Sequence, residues 1–304
     1  MIRIGTSGSK LALAQAEKVR HLLQAQDVAA SVQIISASDD MDAESPLYRM
    51  NGFGAFVRET DYHLLKGAID VAVHNFRDVP LQMPGGLVTA AVLKRGSALD
   101  VVITRDGKRL ADLPKGSVVG TSSTLRSALV RRHYRGLVTR DVSGNVYTRL
   151  RKLKEGDYDA IILAEDGLIH LGINMDVERL DPCTFIPAPN QGVIAVLTRE
   201  GSPEADIVKQ LNDEDTWITT MVERIIAGSL DGEYAVPMGA YATREGEGLD
   251  VVCGVLSLDG RQQARVRETI PVNGYEEFAR RIADRLALSG GLALAEEARK
   301  ELIK

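Results

Sequence analysis

The same corner occurs twice in this chain, and it constrains the fold more than any other feature. A short apolar run leads into Gly-Thr-Ser and then a helical pattern, first in IRIGTSGSKLAL and again in SVVGTSSTLRSAL. Each copy is expected to place a glycine where a strand turns sharply, followed by hydroxyls at a helix start. Because a helix N-terminus has unpaired N–H donors and a partial positive charge, each corner is a candidate anion site. Ser9 and Ser123 are also suitable as ordinary helix caps, so a purely structural role stays open.

Short runs rich in Val and Ile alternate with helical patterns through the first two-thirds of the chain. The runs include VQIISAS, DVAVHN, DVVIT and YDAIILA. In the first helical pattern, Ala12, Ala16, Val19 and Leu23 fall on one face. Beyond residue 204 the pattern changes to one long amphipathic helix, short strands and two closing helices. This order predicts an α/β protein with parallel or mixed sheets and a smaller C-terminal α+β domain.

Composition argues against several classes of protein. No apolar run approaches the ~20 residues that a membrane span needs, and no signal-peptide pattern is visible. Cys183 and Cys253 lack metal-site spacing, which predicts reduced thiols in a cytoplasmic protein and no metal. Nine basic residues and one fixed acid lie between Arg126 and Lys154, although the whole chain has a net charge of -5. A solvated face and a surface for an anionic ligand both fit this segment, whereas the few aromatic residues disfavour a nucleic-acid partner.

The stretch AIDVAVHNFRDVP marks a second candidate site. An alternating apolar strand runs directly into His74, Arg77 and Asp78. Sites of α/β proteins are usually found at strand ends, although an adjacent Arg–Asp pair is also common as a weak surface ion pair. His74 fits either a cleft acid or base or a satisfied buried histidine.

Several motifs in order make the chain similar to the hydroxymethylbilane synthase family, also called the porphobilinogen deaminase family. The HSMKDVP-type motif of that family matches residues 74–80, and IGTSGSKLALAQ matches its N-terminal motif. The other matching segments are GFGAFVRE at 52–59, GTSS at 120–123, GNVYTRL at 144–150, YDAIILAEDGL at 158–168, PAPNQG at 187–192 and DGEYAVPMGAYA at 231–242. The resemblance covers essentially the whole chain.

The resemblance implies three domains. Two would be α/β lobes of the type II periplasmic-binding-protein kind with a cleft between them, lobe one at 1–94 and 192–211 and lobe two at 95–191. Residues 215–304 would form the small α+β domain. The two Gly-Thr-Ser corners would then occupy equivalent places in the two lobes and face the cleft. The expected protein is a cytoplasmic monomer that binds a small anionic or pyrrole-like ligand, and neither nucleic acid nor membrane.

The resemblance also implies a chemistry, in which porphobilinogen units are joined head to tail on a dipyrromethane cofactor held by a cysteine of the third domain. Loss of ammonia from porphobilinogen leaves an electron-poor methylene-pyrrole, and a nearby carboxylate stabilises the developing positive charge and moves protons. Asp78 matches the catalytic aspartate of the family. The positions matched to substrate binding are Ser7, Ser9, Arg77, Thr121, Ser122, Ser123, Arg126, Ser143, Asn145, Arg149, His170 and Gln191.

The departures from the family fall on functional positions. Tyr234 stands where the family has its cofactor-bearing cysteine, and Cys253 is expected to be a packed core thiol rather than a substitute. Ser7, Ser143 and His170 replace carboxylate-binding arginines, and losing one partner of a buried charge contact costs roughly 2–5 kcal/mol. The expectation is a diverged member of the family with no covalent cofactor and with dipyrromethane absent.

Three functions stay open on the sequence alone. The first is an enzyme that uses Asp78 on a pyrrole-like or other small substrate. The second is a non-catalytic protein that closes its two lobes on a small ligand. The third is a working hydroxymethylbilane synthase with a noncovalent cofactor or a new anchor.

Overall fold

The computed structural model describes residues 1–35, 55–230 and 236–302 of the chain. The chain divides into two compact units, each discontinuous in sequence. Unit 1 comprises Met1–Gly96 and Gly192–Trp217, and unit 2 comprises Ser97–Gln191 and Ile218–Lys304. The division into three domains with the boundaries given above stays a prediction.

Within the described residues the strands are, in chain order, β1 (Ile2–Ser7), β2 (Ala30–Ile35), β3 (Val71–Asn75), β4 (Leu87–Val92), β5 (Asp100–Thr104), β6 (Val118–Gly120), β7 (Val138–Arg140), β8 (Ala160–Ala164), β9 (Glu178–Arg179), β10 (Ile194–Arg199), β11 (Met238–Glu245), β12 (Gly248–Leu256) and β13 (Gln263–Pro271). The α-helices in the same ranges are α1 (Lys10–Gln24), α2 (Ala55–Leu65), α3 (Thr124–His133), α4 (Val146–Glu155), α5 (Glu165–His170), α6 (Pro203–Lys209), α7 (Glu214–Ser229), α8 (Tyr275–Leu286) and α9 (Leu292–Leu302). None of these helices combines the length and the apolar character needed to cross a bilayer.

The two units contain five-stranded sheets with the same topology. The strand orders are β2-β1-β3-β10-β4 in unit 1 and β7-β6-β8-β5-β9 in unit 2. In unit 1, β1 pairs in parallel with β2 and β3, and β10 runs antiparallel between β3 and β4. In unit 2, β6 pairs in parallel with β7 and β8, and β5 runs antiparallel between β8 and β9. The corners β1–α1 and β6–α3 therefore hold equivalent places, as the repeated motif predicts.

The last part of the chain forms a three-stranded antiparallel sheet in the order β11-β12-β13, followed by α8 and α9. Together with the two matching sheets, this confirms the predicted class, which is α/β with two related five-stranded sheets and a smaller α+β part.

Burial explains why the strands of unit 2 have continuous apolar runs. Val101 and Ile103 of β5 pack into a cluster on one face of the sheet, and Val102 packs on the other face against Leu129 of α3. A sheet covered on both faces needs apolar residues at every position, in contrast to the alternation of a half-exposed sheet. In unit 1 the apolar stripe of α1 covers only one face of the sheet, and Val19 there is fully buried.

The corner glycines are required for space rather than for a turn. Gly5 and Gly120 lie within β1 and β6, and neither has the positive φ that the predicted sharp turn would need. A Cβ at Gly120 would lie 2.8 Å from Cδ1 of Tyr158 and 3.1 Å from Cγ2 of Ile161. The close approach of buried neighbours therefore explains a glycine at this point of the strand.

Gly120→Ala is expected to lower the free energy of unfolding by about 1–3 kcal/mol, because the added methyl must displace a buried ring. Urea denaturation followed by circular dichroism measures the change. Gly85→Ala is the matched control, since a Cβ there would meet no atom within 4 Å. Equal stability of the two variants would contradict the packing argument.

Candidate active site

Asp78 lies at the end of β3, where the strand passes into a single helical turn over Phe76–Asp78. The fully buried Phe76 anchors this turn, and its backbone N–H donates to the carbonyl of Val193 at 2.8 Å. The Asp78 side chain is 20% exposed. Its Oδ2 accepts from Asn75 Nδ2 at 3.1 Å, and its Oδ1 lies 3.6 Å from Arg77 Nε. This carboxylate is anchored and still open to a ligand, which suits the stabilisation of a developing positive charge.

The predicted serines of the first corner lie at the same edge of the unit 1 sheet as Asp78. Since β1 and β3 are parallel neighbours, with Ile4 opposite Val71, their carboxyl ends lie side by side. Ser9 Oγ accepts from the backbone N–H of Ala12 at 3.1 Å and caps α1. Ser9 is exposed and Ser7 is half-buried, so both hydroxyls are at the surface of this edge.

The second corner carries three consecutive hydroxyls at the end of β6. Ser123 Oγ accepts from the backbone N–H of Arg126 at 3.3 Å and caps α3. Thr121 Oγ1 accepts from the backbone N–H of Ser123 at 3.2 Å, and Ser122 donates its hydroxyl to the carbonyl of Val142. The capping role that the sequence left open is therefore present at both corners.

These three hydroxyls, at Thr121, Ser122 and Ser123, also line a cavity of about 440 Å³ in unit 2. Arg131 lines the same cavity, and its Nε donates to Thr139 Oγ1 at 3.1 Å. The volume is within the roughly 300–1,000 Å³ that small-molecule pockets occupy. Two acids, Asp141 and Glu301, line the same cavity. It therefore presents hydroxyls, the start of α3, one guanidinium and two carboxylates to a small polar ligand.

The start of α4 follows β7, the neighbour of β6. Asn145 caps α4 by accepting from a backbone N–H with its side-chain oxygen at 3.0 Å. Arg149 Nε donates to the carbonyl of Gly144 at 2.8 Å, and Lys152 Nζ lies 3.3 Å from Ser143 Oγ. Ser143 and Asn145 are exposed.

The short helix α5 begins where β8 ends, and its first two residues, Glu165 and Asp166, are acidic. Asp166 Oδ2 lies 3.2 Å from His170 Nε2, and the two side chains are 8% and 12% exposed. Glu165 accepts from Ser97 Oγ and from Arg179 Nε, each at 2.6 Å. His170 is thus paired with a carboxylate of its own helix.

Because β7, β6 and β8 are parallel neighbours, the segments that follow their carboxyl ends share one edge of the unit 2 sheet. The predicted binding residues that the structure brings to this edge are Thr121, Ser122, Ser123, Ser143, Asn145, Arg149 and His170.

Arg126 and Gln191 are placed differently, in a buried network around Asp100. Asp100 Oδ1 accepts from Arg126 Nε at 3.0 Å, from Arg126 Nη2 at 2.6 Å and from Gln191 Nε2 at 2.8 Å. Gln191 Nε2 also donates to the carbonyl of Ala98 at 2.7 Å. Asp100 was not expected from the sequence, although an acid that opens the apolar run DVVIT was an available signal. Direct substrate contact by Arg126 and Gln191 stays a prediction.

Sequence reasoning also missed the residues that hold Asp78. Asn75 lies within the recognised motif, three residues before Asp78, and was given no role. Gln15 is 1% exposed, and its Nε2 donates to Asn75 Oδ1 at 2.6 Å. The sequence signal for this contact was Gln15 itself, a polar residue four positions before Val19 on the face of α1 that was predicted to be buried.

Cys183 and Cys253 are both free, which agrees with two reduced thiols rather than a disulfide. Both were expected to be buried, but Cys183 is partly exposed and only Cys253 is buried. Cys253 is fully buried in β12, and this burial raises the pKa of its thiol to about 12. A thiol acts as a nucleophile only as the thiolate, so Cys253 does not fit as an attachment point for a cofactor. Tyr234 lies outside the described residues. Within the described ranges, no group of three or more His, Cys, Asp or Glu side chains is arranged to hold a metal ion.

Comparison with known proteins adds a family to this geometry. Residues 2–206 match the family model described as "Porphobilinogen deaminase, dipyromethane cofactor binding domain". A probable porphobilinogen deaminase of Methanocella arvoryzae is 64% identical, with 99% of each chain covered. One of Methanosarcina mazei is 45% identical, over 97% of this chain and 94% of the relative. A periplasmic substrate-binding protein of an ABC transporter from Coxiella burnetii is 13% identical, over 69% of this chain and 91% of that chain, with a TM-score of 0.42.

The prediction that dipyrromethane is absent is wrong. It was drawn from Tyr234 and from the replaced carboxylate-binding arginines. The matched model, however, is that of the domain that binds this cofactor, and the relatives are named as enzymes of the family that carries it. In the cavity at the end of β6, Arg131 and the start of α3 would suit a carboxylate of such a group, whereas Asp141 and Glu301 would oppose it. The buried Cys253 does not fit the attachment of the group.

The matches cover most of this chain and most of each relative. The family model covers about two-thirds of the chain, and the relatives align with it from end to end. The matched range includes the strand end that carries Asp78 and both Gly-Thr-Ser corners. This chain therefore belongs to the porphobilinogen deaminase family.

Proposed function

We propose that this protein is an enzyme that joins aminomethyl-pyrroles with loss of ammonia, the reaction that gives porphobilinogen deaminase its name. The observation that chiefly supports the proposal is the Asp78 carboxylate at the end of β3, anchored by Asn75 and 20% exposed. The family supports a role in tetrapyrrole biosynthesis.

Asp78 has two tasks in this proposal. When ammonia leaves the aminomethyl carbon with the electrons of the C–N bond, positive charge develops on the pyrrole and is delocalised to its nitrogen. The carboxylate stabilises that charge by lying close to the pyrrole N–H. A second pyrrole then forms the C–C bond through its free α-carbon, which must lose a proton, and Asp78 is the base that we propose for this transfer. Arg77 Nε lies 3.6 Å from Oδ1, on the side of the carboxylate away from Asn75.

The unit 2 edge supports the binding of carboxylate side chains in this proposal. The hydroxyls of Thr121 and Ser123, together with the N-terminus of α3, supply hydrogen-bond donors for an anion. The Ser122 hydroxyl already donates to Val142. When bound, a dipyrromethane supplies the free α-carbon to which pyrrole units are added, and the same hydroxyls would hold its carboxylates. Neutral donors bind carboxylates less strongly than guanidinium groups do. We therefore propose a diverged selectivity, with a preference for pyrroles that carry few carboxylates.

The test is incubation of the purified protein with porphobilinogen, with ammonia release and pyrrole consumption measured in the same samples. One ammonia for each porphobilinogen consumed is the expected result. Asp206→Asn is the control, because Asp206 is an exposed acid on α6 outside the site. A thermal shift with porphobilinogen but no release of ammonia would instead identify a non-catalytic binding protein.

A further inference from the structure

We propose that Gln15 and Asn75 are positioning residues that orient the Asp78 carboxylate. The proposal rests on the proposed function of Asp78 and adds two residues that act through it. Gln15 Nε2 donates to Asn75 Oδ1 at 2.6 Å, and Asn75 Nδ2 donates to Asp78 Oδ2 at 3.1 Å.

The relay begins in the core of unit 1 and ends at the sheet edge. Gln15 is 1% exposed on α1, which packs against β1 and β3. Asn75 is the last residue of β3, and its side chain is the link between Gln15 and the half-buried Asp78. A buried side chain has little rotational freedom, so the position of Gln15 determines the position of Asn75. The orientation of the carboxylate is therefore set from α1, 60 residues earlier in the chain than Asn75.

The direction of both hydrogen bonds follows from the chemistry of the groups. An ionised carboxylate can only accept hydrogen bonds, so Asn75 must present its NH₂ to Asp78. Its carbonyl oxygen then faces Gln15, which must in turn present its own NH₂. Each amide has two possible orientations, and a single combination satisfies both contacts. A change at Gln15 that reverses Asn75 would place an oxygen against the Asp78 carboxylate and favour its protonation.

Asp78 Oδ2 accepts from Asn75, whereas the nearby charged side chains contact other atoms. From its own turn, Arg77 Nε lies 3.6 Å from the other oxygen, Oδ1. From β3, His74 is directed to Asp61 of α2, with Nε2 2.8 Å from Oδ1 and both side chains buried. From α1 comes the uncharged Gln15. The family motif HSMKDVP has serine at the place of Asn75. The side-chain amide that links Gln15 to Asp78 is therefore a feature of this sequence and not of the motif.

The first test is a pH–rate profile for variants at both positions. Asn75→Leu removes the donor to Oδ2, and we expect kcat to fall about tenfold with KM little changed, because orientation rather than binding is lost. The acid limb of the profile should move to higher pH, since losing a hydrogen bond to the ionised form disfavours that form. Asn75→Asp places a second carboxylate beside Asp78 and should move the limb further. Gln15→Met, which does not touch Asp78, should shift the limb in the same direction.

The double variant separates a relay from two independent effects. If Gln15 acts through Asn75, Asn75→Leu with Gln15→Met should resemble Asn75→Leu alone, whereas independent effects would add. Gln26→Met is the control, because Gln26 is exposed just beyond α1. Circular dichroism checks folding, and Gln15→Glu replaces Gln15→Met if the latter unfolds. An unchanged acid limb in either Gln15 variant, or full additivity, would overturn the proposal.

A second readout needs no substrate. The ¹³Cγ resonance of Asp78 reports protonation directly, and its titration midpoint should move to higher pH in Asn75→Leu and in Gln15→Met. If the wild-type protein releases no ammonia from porphobilinogen, the proposed function fails while this titration still decides the relay. If ammonia is released and the midpoint stays constant across the variants, the relay fails and the proposed function stands.

Discussion

Asp78→Asn is expected to lower kcat by about 10²–10⁴-fold, the range typical of removing a positioned acid or base. The substitution keeps the size of the side chain but removes the negative charge that stabilises the pyrrole cation and accepts the proton. KM should change little, because the carboxylate groups of the substrate are assigned to other residues. Steady-state release of ammonia from porphobilinogen measures both constants.

Two further variants make the Asp78 prediction specific. Asp78→Glu keeps the charge at a shifted position and should retain more activity than Asp78→Asn. Asp206→Asn removes an exposed acid of the same unit and should match the wild-type protein. Equal kcat in Asp78→Asn and wild type would show that the chemistry lies elsewhere and would withdraw the mechanism proposed here.

Asp100→Ala is expected to lower the free energy of unfolding by about 3–5 kcal/mol, the cost of breaking a buried ion pair by removing one partner. Asp100 and Arg126 have side chains that are 1% and 10% exposed, and Asp100 Oδ1 accepts from both Arg126 and Gln191. Without Asp100, the guanidinium of Arg126 stays buried with its charge uncompensated. Urea denaturation followed by circular dichroism measures the loss.

A paired apolar replacement tests the cause. Asp100→Leu combined with Arg126→Met removes both charges at similar volume, and it should recover most of the stability lost in Asp100→Ala. The same double variant tests the predicted contact between Arg126 and substrate, because a raised KM in a stable protein would show binding by Arg126. A loss below about 1 kcal/mol in Asp100→Ala, the range of a surface pair, would contradict the buried ion pair.

The local sequence pattern was sufficient to predict the helices and strands in which buried side chains recur at regular spacing. The stripe that contains Ala16, Val19 and Leu23 predicted the buried face of α1, and apolar runs such as DVVIT predicted strands, which the structure shows to be covered on both faces. The repeated Gly-Thr-Ser corner predicted two equivalent sheets. The short strand β7, VTR, was missed because it is an edge strand among the described residues, paired there with β6, and such pairing leaves no periodic signal in three residues.

The candidate site was predictable only where its residues follow a strand or begin a helix. Asp78 was found at the end of an apolar strand, and Ser9, Ser123 and Asn145 proved to be helix caps as well as candidate ligands. The partners of these residues were not found. Asp100 lies 26 residues before Arg126, and nothing local to either position indicates the contact.

By itself, the sequence determined most of the strands, the main helices, the duplicated sheet and the strand end that carries Asp78, because these depend on neighbouring residues and on the spacing of apolar side chains. Tertiary structure alone decided that Gly120 is needed for space beside Tyr158, that Arg126 is neutralised by Asp100, and that Gln15 reaches Asp78 through Asn75. The physical reason is the same in each case. A buried side chain is constrained by the atoms that surround it, and those atoms come from distant parts of the chain.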